Sequence, residues 1–289
     1  MSLRPPHIPS TSLAWPYLLG IVLLVAIPVA ATLYLAFTEY FGIVAPEFIG
    51  VDNFTRMLGS SRFWTSLGNS SIYVLIAVPL RVVGAVGLAL LLHRHSAGSS
   101  AARAAVFLPT VVPDVAYALL WLYIFNPLFG PLTLGLEAIG IPSPEWLVDP
   151  ATARFSVALM SAFQIGEGFV IALAVRRSIP NHLYESAAVD GASPWFMLSR
   201  VTLPLMLPVL VLLALRDVII SFQANFVPAL IVTEGGPRLA TFFLPLYVYR
   251  EGFRYGRLGY AAAVTLTMFV ITAVVVLVQY RLARRWRLV

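Results

Sequence analysis

The 289-residue chain contains neither cysteine nor lysine. Without cysteine there is no disulfide framework and no thiolate metal site. Without lysine the phosphate loop GxxxxGK[ST] is impossible, so any nucleotide hydrolysis must come from another protein. Charge of either sign is scarce: 11% of residues are ionised, against about 25% in soluble domains. With 60% hydrophobic residues and a mean hydropathy of +0.87, no soluble core could hide the apolar surface, and lipid must be the solvent for much of it. The formal net charge of +6 rests on arginine alone. Much of that charge flanks apolar runs, where basic residues set membrane topology, so no nucleic-acid partner is expected.

What is present are long apolar runs. A membrane helix needs about 20 such residues. Six windows qualify, at 13–38, 70–92, 105–126, 155–176, 203–226 and 259–281. The fold class expected is all-α integral membrane, with six transmembrane helices in one membrane domain, 1–289. The first run, uncharged from Leu13 to Thr38, exceeds the roughly 7–15 apolar residues of a secretory signal and reads as a retained span. Prolines within the windows are tolerable because neighbouring helices re-satisfy freed backbone groups.

Six spans put both termini on one side, and arginine counting selects it. The termini and the loops at 93–104 and 177–202, with bordering Arg176, hold ten arginines against the two acids Glu185 and Asp190. The opposite loops hold seven arginines and eight acids. Both termini are therefore placed in the cytoplasm. In the outer segment "VDNFTRMLGSSRFWTSLGNS", Phe54, Leu58, Phe63 and Leu67 alternate with polar residues, which suits one or two short interfacial helices or a packed amphipathic loop.

The polar stretch "YESAAVDGASPWFMLSRVTLPLMLP", residues 184–208, lies between spans four and five on the cytoplasmic side. Residues 182–192 suit a short helix with Asn181 as N-cap and Glu185 near its positive end. Ala187, Ala188 and Ala192 leave a face of little bulk, and Gly191 permits a C-terminal turn or close backbone approach. The residues alone leave two readings open, an interfacial linker and a docking helix.

The spacing Glu185-Ser186-Ala187, three residues, Gly191, nine residues, Val201-Thr202-Leu203-Pro204 closely resembles the EAA loop of permease subunits of binding-protein-dependent ABC importers. That family carries Glu-Ala-Ala, three residues, Gly, nine residues, Ile, one residue, Leu-Pro; Ser186 and Val201 are mild departures. "IPNHLYESAAVDGA", "LIVTEGGPRLAT" with "LYVYREGF" and "LGYAAAV", "FLPTVVPDVAYALLWLYIFNPLFG" and "EWLVDP" resemble its carbohydrate-uptake branch, of maltose and glycerophosphate type. The resemblance covers about residues 15–283. It implies a cytoplasmic coupling helix, with Glu185, Ser186, Ala187, Asp190, Gly191, Val201, Leu203 and Pro204 as ATPase-coupling residues. It also implies a second permease subunit, two cytoplasmic ATPase subunits, an external solute-binding protein and alternating access for a sugar or polyol. The chain itself would not be an enzyme and would need no cofactor.

Polar groups inside spans default to function, because centring one charge in a bilayer costs roughly 2.5–3.5 kcal/mol. Arg81, Arg216 and Asp217 are the intramembrane charges; they suit helix-packing ion pairs as well as solute contact. Arg216 and Asp217, adjacent on one helix, point about 100° apart and need other partners. The candidate substrate path is Gln164, Asn225, Glu167, Tyr117 and Trp121, with Tyr123 as a further aromatic. Asn225 takes its place there from the family register relative to Thr233. Asp114 reads as structural. His93 and His95 lack the carboxylate or thiol cluster of a metal site and read as a cap on span two. The rival function is a self-sufficient secondary carrier or channel, which internal repeats would favour; none is visible. An integral-membrane enzyme lacks any nucleophile–base constellation.

Overall fold

In the computed structural model, residues 10–94, 96–223 and 225–285 are described; Arg4, His95 and Arg287 lie outside them. The elements are α1 (Ser10–Ile21), α2 (Ile27–Leu35), β1 (Thr38–Glu39), β2 (Glu47–Phe48), α3 (Asp52–Leu58), α4 (Ser61–Leu91), α5 (Ala97–Val111) and α6 (Asp114–Ile124). They continue as α7 (Pro131–Ala138), α8 (Pro150–Ala162), α9 (Gly166–Ser178), α10 (Asn181–Val189), α11 (Pro194–Met197), α12 (Leu203–Gln223), α13 (Phe226–Ile231), α14 (Leu244–Tyr249) and α15 (Leu258–Arg285). Among the described residues four helices are long and apolar enough to cross a membrane, at Trp15–Leu35, Ser61–Leu91, Pro194–Ile231 and Leu258–Arg285. The count rises to six if each of two bent pairs, α5 with α6 and α8 with α9, is one span.

Several expected boundaries move. The segment after Val51 forms one short helix, α3, and then enters α4, which runs unbroken for 31 residues from Ser61. Phe63 and Leu67 thus belong to a span and not to a second interfacial helix. The expected window 105–126 is broken at Val112-Pro113, where α5 and α6 meet at 106°. The cause is local: a residue before proline is pushed out of the helical region, and Val112 is extended, with φ −70° and ψ 130°. The window 155–176 bends by 50° between α8 and α9. The helix within 203–226 ends at Gln223 and resumes at Phe226.

Contacts group the chain into two compact units. One comprises 1–60 and 248–267. Within it β1 and β2 form a two-residue antiparallel ladder. Buried Asn53 closes the turn after α2, donating to the carbonyls of Ala36 at 3.1 Å and Thr38 at 2.9 Å. Ala36, Ala262 and Ala263 are its buried apolar contacts, flanked by Phe37, Phe54 and Leu266. Trp15–Leu35 buries none of its apolar length within the chain, so lipid or a partner protein must cover it.

The second unit comprises 61–247 and 268–289. Its core packs α4 against α9 and α12 through Ala85, Ala89, Phe169, Ala172, Met206 and Leu213. Small side chains let these backbones approach, as membrane helix interfaces require. Gly166 opens α9 against α5, where an added Cβ would overlap Thr110 and press on Phe107. The carbonyl end of α4 is covered by two arginines and a histidine: Arg103 donates to Leu92 O at 2.9 Å, Arg177 to His93 O at 3.3 Å, and His93 Nδ1 lies 2.6 Å from Leu90 O. The two guanidinium charges suit the negative end of a helix. The segment 232–243 folds back onto the helices: Asn69 donates to Leu239 O at 2.6 Å, Ser70 Oγ accepts from Leu244 N at 2.9 Å, and Arg154 donates to Ala240 O at 3.1 Å.

Candidate functional site

Two features of the second unit gather the residues singled out from the sequence. The first is a cavity of about 300 Å³. Polar groups reach it from both helix breaks: Asp114 from the start of α6, and Gln164 and Glu167 from the bend between α8 and α9. Arg81 of α4, Arg216 of α12, and Tyr73, Thr110, Tyr117 and Ser161 complete its polar lining. Irregular backbone at membrane depth is tolerated where it lines such a cavity, and helix breaks are where transporters present polar groups to cargo.

The charges form a zigzag across three helices. Glu167 of α9 pairs with Arg216 of α12. Arg216 also reaches its neighbour Asp217, Nη1 to Oδ1 at 3.4 Å, and Asp217 faces Arg81 Nε of α4 at 3.6 Å. The adjacent residues do touch, as well as finding the outside partners that helix geometry demands. Arg81 and Asp217 are 11% and 8% exposed, whereas Glu167 is 59% exposed. The network thus has a buried structural end and an open end at the cavity.

The other expected path residues divide. Tyr117 lines the cavity, but its hydroxyl is committed to Met160 O at 2.7 Å. Trp121 is buried away from the lining, stacked with Phe125 and Phe163 at 4.9 and 5.2 Å between ring centres. Tyr123 is exposed and packs beside Phe129. Asn225 is fully buried at the junction of α12 and α13, outside the cavity lining, and neither amide atom has a hydrogen-bond partner among the described residues. Asp114, read from the sequence as structural, lines the cavity, and no described residue bonds its carboxylate. The dipeptide Pro113-Asp114 was the available signal: a proline break followed by an acid at a helix start.

The second feature is α10. Its N-cap is Pro180 and not Asn181, which is the first helical residue; no side chain caps it. Glu185 lies beyond the first turn. The C-terminus is a Schellman turn: Ala192 N donates to Ala187 O at 2.9 Å and Gly191 N to Ala188 O at 3.0 Å, with Gly191 at φ +76°. Only a glycine adopts that conformation without a Cβ penalty. No residue of α10 is buried. Glu185, Ser186, Asp190 and Gly191 are all exposed, and Val189 and Trp195 are 89% and 72% exposed, so the segment offers small and apolar surface to another molecule. It is nonetheless tied to the spans on both sides. Tyr184 carries Arg176 of α9 over its ring at 4.7 Å, and its hydroxyl bonds Thr202, in the turn preceding α12, at 2.8 Å. Val201 sits in that π-helical turn, and Leu203 and Pro204 open α12.

A lipid-borne bundle with an exposed, helix-linked segment at this motif spacing defines a membrane subunit of a transport system. Residues 81–288 match the family described as the binding-protein-dependent transport system inner membrane component, and the chain belongs to it. Among its relatives is the probable ABC transporter permease protein YesP of Bacillus subtilis, 32% identical, with 99% of this chain and 93% of that one aligned. The trehalose/maltose transport system permease protein MalF of Thermococcus litoralis is 26% identical over 93% of this chain and 91% of its own. The fold is shared with a crystal structure of a bacterial ABC transporter involved in import of the acidic polysaccharide alginate: TM-score 0.83, 24% identity, 96% of this chain and 95% of that chain covered.

Proposed function

We propose that this chain is one half of the membrane pore of an ATP-driven importer that moves a sugar or related polyol across the cytoplasmic membrane by alternating access. The bent pairs each count as one span, giving six, with both termini in the cytoplasm. A second permease subunit completes the pore and covers apolar surface such as Trp15–Leu35. Two ATPase subunits dock on α10, and an external binding protein delivers the solute. One observation carries the reading: α10 is exposed, yet held through Tyr184 to α9 and to the entry of α12, the two helices whose Glu167 and Arg216 line the cavity. Displacing α10 would therefore displace the cavity wall. Relatives whose names specify trehalose and maltose, or glycerol-3-phosphate, support a hydroxylated solute. The test is uptake by the chain reconstituted with its genomic neighbours, with and without the ATPase subunit. ATP-dependent accumulation is expected; solute flux through this chain alone, independent of ATP, would instead establish a secondary carrier.

A further inference from the structure

We infer that Asp114 sets the charge preference of the cavity: it accepts hydrogen bonds from hydroxyl or ammonium groups of a neutral or cationic solute and turns away solutes bearing carboxylate, phosphate or sulfate. The inference rests on the reading of this cavity as the solute path. Both arginines at the cavity are already matched. Arg81 faces Asp217, and Arg216 faces Glu167 and Asp217. Each guanidinium has a carboxylate balancing its charge, so neither adds a net positive charge to the cavity. Asp114 has no such partner among the described residues, and it is exposed at the cavity wall. Two arginines stand against three carboxylates, which leaves one negative charge in excess, located on the one unmatched group.

The placement is not incidental to the fold. Pro113 forces the break, and Asp114 is the first residue of α6, so its carboxylate sits at the positive end of an 11-residue helix. That end contributes about half a positive charge, too little to cancel a carboxylate's full negative charge. Ionised carboxylates are acceptors only and match hydroxyl and ammonium donors. Gln164, the other cavity group without a side-chain bond among the described residues, offers both polarities and no charge. Together they present an acceptor-rich wall. Excess charge of one sign in a cleft with low-dielectric walls biases the local concentration of ions by about tenfold or more.

The absence of cysteine makes this measurable in the intact complex. Gln164→Cys, or Thr110→Cys as a second reporter on the same cavity, is labelled with a cationic and an anionic methanethiosulfonate of similar size, with cysteine-free partner subunits. The cationic reagent is expected to react faster. Asp114→Asn should reduce the ratio of the two rates about tenfold, and Asp114→Glu should retain it. An unchanged ratio in Asp114→Asn, with both reporters reactive, would overturn the role of Asp114 while leaving the solute path standing. If neither reagent reaches either reporter in any nucleotide state, the cavity is not a solute path and the inference falls with it.

Discussion

Asn225 and Arg81 show how a residue's worth depends on what surrounds it. A buried amide without partners costs about 1–3 kcal/mol, and both polar atoms of Asn225 are in that position. Asn225→Ala removes that cost while leaving a small void, so the detergent melting point of the assembled complex should change little. If the amide finds its partners in a solute-loaded or rearranged state, uptake should fall in the same variant. A lower melting point with unchanged uptake per complex would make Asn225 a packing residue. Gln164→Ala should act the same way, less severely. The Arg81–Asp217 pair predicts the opposite. Removing one member strands a buried charge, which costs about 3–5 kcal/mol, whereas replacing both with apolar groups is often neutral. Arg81→Met should therefore lower the melting point strongly, and adding Asp217→Leu should restore most of it. Additive losses in that double-mutant cycle would mean that the two groups do not act as a pair.

For the α10 segment, backbone conformation and docking can be separated. A Cβ on Gly191 meets nothing within 4 Å, so a small substituent is penalised only by its positive φ, about 1–2 kcal/mol for most L residues and less for Asn. Uptake should fall in the order Gly191→Asn, Gly191→Ala, Gly191→Trp, and Trp should abolish ATPase docking as well. Wild-type uptake and ATPase association in Gly191→Trp would refute a docking role. Glu185→Lys reverses a charge on the same exposed helix and should weaken association without lowering the melting point. Tyr184→Phe removes the bond to Thr202, about 1 kcal/mol, and keeps the ring under Arg176. It should leave the complex assembled but raise ATP hydrolysed per solute moved. An unchanged ratio would mean that α10 transmits its motion by another contact.

For the molecule as a whole, the unburied Trp15–Leu35 helix and the other exposed apolar faces predict stability shared with partners. A component that binds only the folded chain raises its apparent stability by mass action. Co-expression with the second permease subunit should raise the melting temperature and the yield of this chain relative to expression alone. Equal melting with and without that subunit would argue for a chain stable as a monomer in lipid. At the helix breaks, part of the backbone is satisfied within the chain: Phe163 N donates to Met160 O at 3.2 Å, Gln164 N to Ser161 O at 3.1 Å, and Pro113 O accepts from Tyr117 N at 2.9 Å.

The membrane class followed from composition alone, because hydropathy and charge scarcity are sums that need no contacts. The exposed segment around α10 was legible as well. Its helix, its glycine turn and its exposure are encoded within a dozen consecutive residues, and the Schellman closure at Gly191 is a local event. The cavity was not legible. A hydropathy window averages over bends, so 105–126 and 155–176 read as plain spans although each contains a break that opens onto polar groups. The pairing of Arg81 with Asp217, the commitment of Tyr117 to Met160 and the seat of Asn69 beneath Leu239 each join residues far apart in sequence. Which partner a buried polar group finds is decided when helices pack, since low dielectric makes every unmatched group costly. That is why the sequence could name the charged residues of the membrane region, and only the packed helices could show that Asp114 was the one left open.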